Sequence, residues 1–196
     1  MNVLIACEFS GKVRDAFVKR GHFAVSVDLL PTAQPGFHYQ GDVFDLDFTL
    51  YDLLIAHPPC TFLANSGVRW LYRDPARWAA LDDAARFFQK LLNAPVGKIA
   101  VENPIMHKHG KARIGGAQQT QTVQPWWFGH PEQKATCLWL KNLPPLTPTN
   151  DVKHKMAALT SAERQRVFHL PPSADRWRLR SETFQGVADA MAEQWG

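Results

Sequence analysis

Tyr51-Asp52-Leu53-Leu54-Ile55-Ala56-His57-Pro58-Pro59-Cys60 decides the fold. The apolar run has the length and character of a short strand buried on both faces, as in a parallel sheet. Two prolines then stop the ladder and hold the next residue in an extended conformation. A cysteine delivered at the carboxyl end of a strand stands where open α/β sheets bind their ligands. Further on, Ile99-Ala100-Val101-Glu102-Asn103-Pro104 repeats the design, an apolar strand with a polar tip and a proline brake. If the two strands are neighbours, a thiol and a carboxylate face one pocket. That pair suits nucleophilic attack on an electron-poor ring beside a group that shares a proton with it.

Outward from this stretch, residues 2–7 read as a first strand and 23–28 as a second. Between them 11–20 has helical spacing, with Gly21 as its stop. A Pro/Gly-rich turn leads to Gly41-Asp42-Val43, a short strand end or turn. Residues 77–92 form the clearest helix, because Trp78, Leu81, Ala85, Phe88 and Leu92 recur at three- and four-residue spacing. Residues 98–101 read as a strand, 105–125 as an irregular polar loop, and 126–128 with 135–140 as a hairpin-like strand pair. The tail, 183–194, reads as a helix with Thr183 as N-cap and Phe184, Val187, Ala188, Met191 and Trp195 as its buried stripe. Strand and helix in alternation predict an α/β fold. The expected architecture is Rossmann-like, a mostly parallel sheet with helices on both faces and an antiparallel strand pair near the C-terminal end.

With 196 residues, 45% of them hydrophobic, the chain supports one domain with a full core. No apolar stretch approaches the roughly 20 residues of a membrane span, and no signal peptide is evident. Cys7, Cys60 and Cys137 are an odd, widely spaced set, expected to be free thiols in a reducing cytoplasm. Residues 1–98 carry ten Lys/Arg and ten Asp/Glu, whereas 99–196 carry twelve against eight, so the whole net charge of +4 lies in the second half. A basic half in a chain with seven tryptophans suits a polyanion whose bases can stack; a soluble protein of modest pI is the bland alternative.

Glu8-Phe9-Ser10-Gly11 joins the first strand to the first helix, where backbone amides favour a nucleotide-like ligand. Asp28 closes the second strand, the place for an acid that hydrogen-bonds a ribose. Val13 and Arg14 stand where further glycines would cradle phosphates, so an adenosine ligand without phosphates fits better than a dinucleotide. The alternative is that Gly11 only starts a helix and Asp28 only caps a turn. His107-Lys108-His109 with His130 lacks the spacing of a zinc site and reads as a solvated basic loop. Lys108, Lys111, Arg113, Lys134 and Lys141 outnumber Glu132 over 105–141, and with Trp126 and Trp127 they are the candidate DNA-facing surface. Both tryptophans as core residues at a strand start is the other reading.

The order of these motifs resembles the C5-cytosine DNA methyltransferases, and most nearly their compact phage and prophage members. Phe9-Ser10-Gly11 resembles the first family motif, Pro58-Pro59-Cys60 the catalytic Pro-Cys motif, and Glu102-Asn103-Pro104 the Glu-Asn-Val motif. Phe128 to Lys134 resembles the stretch before Gln-x-Arg-x-Arg, with Ala135 and Cys137 in the arginine places. The closing Gly186-to-Gly196 segment resembles the last motif. The resemblance implies S-adenosylmethionine as cofactor, held by Glu8, Phe9, Ser10, Gly11, Asp28, Asp42, Pro58 and Thr183. It implies Cys60 and Glu102 as catalytic residues, and Pro59, Asn65, Ser66, Arg69, Asn103, Gln133 and Lys134 at the substrate. It divides the chain into a core over 1–141, a short insert over 142–180 in place of a target-recognition domain, and a returning helix over 183–195. The implied partner is DNA, duplex or single-stranded, in a bacterial host cell.

In that chemistry Cys60 attacks carbon 6 of cytosine and carbon 5 takes the methyl group. Glu102 holds ring N3 and the exocyclic amine, and the loop over 61–73 serves as wedge and lid. A thiol of pKa about 8.5 needs cationic help, for which Arg69 and Lys134 are candidates. An amino-directed methyltransferase fits poorly, because His57 and Cys60 flank the two prolines where Asp/Asn and an aromatic are needed. A free cytosine nucleotide as substrate, or an inactive cofactor- or DNA-binding homologue, remain the alternatives.

Overall fold

Strands that are apolar on both faces need cover on both sides, and the chain supplies it. The computed structural model describes residues 1–196. In chain order they form β1 (Asn2–Ala6), α1 (Lys12–Lys19), β2 (Phe23–Asp28), β3 (His38–Gln40), β4 (Leu53–Ala56), α2 (Ala76–Leu92), β5 (Lys98–Pro104), α3 (Lys108–Arg113), β6 (Gln121–Val123), β7 (Thr136–Lys141), α4 (Lys153–Ala158), α5 (Ser161–Arg164), α6 (Arg176–Ser181) and α7 (Gln185–Trp195). The sheet order is β3-β2-β1-β4-β5-β7-β6. β1 to β5 pair in parallel, and β7 runs antiparallel between β5 and β6. The architecture is therefore a Rossmann-like α/β fold with an antiparallel strand near its C-terminal end.

Alternation along each strand divides the core in two. Val3, Ile5, Leu53, Ile55 and Ala100 meet Val13 and Phe17 of α1 and Ala188, Met191 and Trp195 of α7. Leu4, Ala6, Leu54, Ala56, Ile99 and Val101 meet Leu81, Ala85, Phe88 and Leu91 of α2. Gly186 lets α7 approach the preceding chain, since a Cβ there would lie 1.9 Å from the Phe128 carbonyl oxygen. No helix is long and apolar enough to cross a membrane.

Several local expectations are corrected. β5 runs past Val101 to Pro104, because the returning β7 pairs with it up to Thr136. The polar stretch 105–125 holds α3 and β6, so it is not wholly irregular. Residues 126–128 are not a strand: Pro125 starts a 3-10 turn over Pro125–Trp127, and β6 is the partner of β7. Asp42 accepts from the Phe44 amide and begins a 3-10 turn. The closing helix is preceded by Phe184 as N-cap, so Thr183 does not cap it. His107 is buried and its ring accepts from the Gly110 amide, fixing the start of α3 where a solvated loop was expected.

Arg14 is fully buried in α1 and spends its whole fork. Nε donates to Asp15 (2.7 Å), Nη1 to the Ser26 and Thr32 hydroxyls (both 3.2 Å), and Nη2 to the Gln34 and Pro35 carbonyls (3.1 and 2.9 Å). This side chain ties the turn after Asp28 to α1. Arg14→Met keeps the stem and strands the acceptors, and should lower unfolding free energy by about 3 kcal/mol, measured by urea denaturation.

Candidate active site

Ala6, Ala56 and Val101 are lateral neighbours on β1, β4 and β5. Cys7, His57 and Glu102 therefore stand at one level, where β1 and β4 end beside the switch in strand order and β5 continues along β7. The His57 amide still donates to the Ala6 carbonyl (2.9 Å). Alternation turns His57 and Glu102 toward α7. There, with Gln124, Lys134, Thr183 and Phe184, they line a cavity of about 20 Å³, room for a single water. Cys60 follows on a tight turn, its carbonyl accepting from the Leu63 and Ala64 amides (3.1 and 2.8 Å).

Three titratable groups share one electrostatic neighbourhood. Burial pushes the Cys60 thiol up, and the charge of Glu102 adds to this; Lys134 and Arg180 pull it down. Burial also raises the Glu102 carboxyl, again opposed by Lys134. The Lys134 ammonium is itself lowered by burial, with Glu102 and Cys60 opposing. Its Nζ donates to the carbonyls of Arg180 (2.8 Å) and Glu182 (3.2 Å), at the end of α6. Lys12 bonds the Glu182 carboxylate at 2.9 Å. Two lysines from the core thus hold the segment between α6 and α7 over the strand ends.

At the other end of the site, Phe9 is buried and its ring meets Trp177 (centroids 6.4 Å apart) and Arg178 (5.0 Å). Gly11 takes φ +75° as the cap of α1. Glu8 is engaged inside the fold: its oxygens accept from the Val13 and Arg14 amides (2.7 and 3.2 Å) and from the Ser10 hydroxyl (3.1 Å). Glu8 and Ser10 therefore shape the turn, while Phe9 supplies its aromatic surface. Asp28 is half-buried and raised by that burial, with one oxygen on the Leu30 amide (2.9 Å). Cys7 has φ +58°, and burial with the charges of Asp28 and Asp42 pushes its thiol up to about 12. Burial and these charges thus disfavour the thiolate at Cys7. An aromatic ring, two acids and no glycine-rich cradle fit a nucleoside lacking phosphates.

Other expected residues lie apart. Asn103 is fully buried and alternates to the opposite sheet face from Glu102, its amide donating to the Pro104 carbonyl (2.6 Å). Arg69 stacks on Trp70 (4.8 Å), and the cations that act on Cys60 are Lys134 and Arg180. Pro58 is buried; Pro59, Asn65 and Ser66 are exposed around the cysteine turn. Gln133 is exposed and its backbone N–H donates to the Arg164 carbonyl (2.6 Å). The basic stretch over 105–141 does not make one surface. Lys134 is held inside, Arg113 pairs with Asp82, and Lys141 pairs with Ile99 at the far end of β5. Trp126 and Trp127 are half-buried, with Lys153 over Trp126 (5.5 Å). His57, Gln124, Trp177 and Arg180 were missed. Only His57 carried a signal, as the polar residue ending an apolar strand.

No protein-family model matches the chain, and no curated protein does. Among solved structures it is similar to a prophage-encoded candidate DNA modification methyltransferase (E. coli), with TM-score 0.51 and 16% identity over 82% of this chain and 56% of that one. A methyltransferase of Entamoeba histolytica, EhMeth, gives 0.46 and 15% over 78% and 55%. Spodoptera frugiperda DNMT2 gives 0.41 and 16% over 78% and 53%. The chain thus spans little more than half the length of these structures. Likeness at this identity establishes the fold alone, the Rossmann-like α/β sheet described above.

His57 Nε2 is buried with no partner in the protein, and burial, with repulsion from Lys134, lowers the ring to about 4. The unfolded chain therefore binds a proton between pH 6.5 and 4 that the folded one refuses, so stability falls as pH drops through that window. His57→Gln should remove up to roughly 3 kcal/mol of this pH dependence, measured as urea midpoints at pH 7 and pH 4.5.

Proposed function

We propose that the chain transfers a methyl group from S-adenosylmethionine to carbon 5 of cytosine in DNA, through an adduct on Cys60. One observation carries this reading: Glu102 of β5 and Lys134, just before β7, line one cavity at the strand ends, and their charges act on the Cys60 thiol on the turn after β4. Bound beside Phe9, Asp28 and Asp42, the cofactor supplies an electrophilic methyl on a sulfonium. Every other requirement falls on the chain.

The Cys60 thiolate adds to carbon 6, and the ring electrons move to carbon 5, which becomes nucleophilic. Glu102, whose burial favours its neutral form, donates to ring N3 and accepts from the exocyclic amine. Uracil and thymine carry a proton on N3 and are refused that pairing. Loss of the carbon-5 proton to water and expulsion of the thiolate complete the turnover. Lys134 stabilises the thiolate by charge, as a cation beside a reactive cysteine does. The segment over 142–180 contributes α4, α5 and part of α6 and no strand, which supports little or relaxed sequence specificity. The same chemistry on a free cytosine nucleotide is the second reading, favoured by the small size of that segment.

Cys60→Ser should abolish methyl transfer to DNA, single strands and dCMP alike while leaving cofactor affinity within about twofold. Radiolabel transfer and calorimetry measure the two, and activity in this variant refutes the adduct. Lys134→Met removes the cation that lowers the thiol. The thiolate fraction at fixed pH then falls, so the rising limb of kcat/KM should move to higher pH, and a limb displaced by about one pH unit costs about tenfold in rate at pH 7.5. Recovery of rate at alkaline pH distinguishes this charge effect from loss of the contacts to Arg180 and Glu182.

A further inference from the structure

Next to the cysteine turn lies an exposed edge that the chemistry above does not use. Residues Asn65–Tyr72 form an eight-residue 3-10 run, in which side chains three apart eclipse. That period sets Arg73 beside Trp70 and Tyr72 beside Arg69. Trp70 is 41% exposed and Tyr72 66% exposed. The Arg69 and Arg73 guanidinium carbons lie 4.8 and 5.0 Å from the Trp70 ring centre. Tyr72 is braced from beneath, its hydroxyl 2.7 Å from His109 Nε2 and its ring edge-on to Trp78. Asp74 is the acid within this stretch, and its carboxylate accepts from the Ala76 amide. The run is tethered to the site: Ala64 bridges to Met106, and the Asn65 amide donates to the Ile105 carbonyl (2.8 Å), just past the end of β5.

Exposed aromatic rings carrying mobile guanidinium groups match a chain of phosphates whose bases are free to stack, the phosphates drawing the guanidiniums and the bases taking their place on the rings. A duplex offers phosphates and base edges but keeps its base faces covered, and a mononucleotide held at Cys60 has no neighbours to stack. We propose that Arg69, Trp70, Tyr72 and Arg73 form a stacking platform for an unpaired nucleic-acid strand flanking the base at Cys60, so that the polymer taken up is single-stranded. This rests on the reading of Cys60 and Glu102 as the base-handling pair.

The test is anisotropy of the intact chain with a labelled single strand of about 16 nucleotides and with the duplex of the same sequence, over a range of salt. The single strand should bind at least tenfold more tightly. Trp70→Ala should weaken it about tenfold or more with an unchanged salt slope, and Trp70→Phe should restore most of the affinity. Arg69→Gln with Arg73→Gln should instead flatten the slope of log K against log salt. Equal affinity for duplex and single strand overturns the proposal. So does a Trp70→Ala protein that melts like the parent and binds the single strand unchanged. Methyl transfer is read separately. Single-strand binding with these dependencies but no methylated product defeats the enzymatic reading and leaves the platform standing; methylated duplex with an indifferent Trp70→Ala does the reverse.

Discussion

Because side chains alternate between faces along a strand, a slip of one residue between β4 and β5 would turn Glu102 toward α2 and bury it in an apolar wall. The register Ala6–Ala56–Val101 forbids that slip, since β1 and β4 present large apolar residues to both layers and β5 presents Ile99 and Val101 to one and Ala100 to the other. The apolar packing on two sides thus fixes the polar residues one step beyond it. Cys7, His57 and Glu102 owe their common level to residues with no chemistry of their own. β7 extends the same logic, because its antiparallel pairing carries Lys134 back to the strand ends rather than away from them.

A carboxyl, a thiol and an ammonium together out of water are costly unless each compensates another. Here the compensation is unequal. Glu102 accepts its burial by moving toward its neutral form, and Lys134 answers its own with two carbonyl acceptors at the end of α6. The cation is thereby fixed in place with its field directed at the sulfur and the carboxyl. Its anchors belong to the segment that also covers Phe9 through Trp177 and Arg178. The electrostatics of the cysteine and the cover of the aromatic are therefore one structure.

How much of this was legible follows from which residues act locally. The strands over 2–6, 23–28 and 53–56, and the helix over 76–92, announce themselves by uninterrupted or periodic apolar residues. Cys60 and Glu102 announce themselves by interrupting such runs with a polar group at the tip. Lys134 is reached only through its place after the Phe128-to-Gln133 resemblance, and Arg180 carries no local signal at all, since its importance comes from pairing between segments far apart in sequence. The stretch over 126–128 misled because Trp and Phe favour strands, while Pro125 dictates a turn that propensity alone does not weigh. Glu8 looked like a ligand because an acid near a helix start is also how a ligand site reads. Its oxygens are taken by the amides of α1.

A cavity of about 20 Å³ holds a water and not a pyrimidine. The walls formed by β4, β5 and β7 are fixed by the sheet, so on the proposed function the remaining wall, Thr183 and Phe184 with the segment before them, must yield to a ring. That segment is held by the bonds of Lys134 and Lys12, and its helices are short and largely exposed. Sheet-bound groups handle the reacting atoms, and a weakly packed cover governs access. Such a division lets the rigid part be exact in placement while the part that moves carries little of the core.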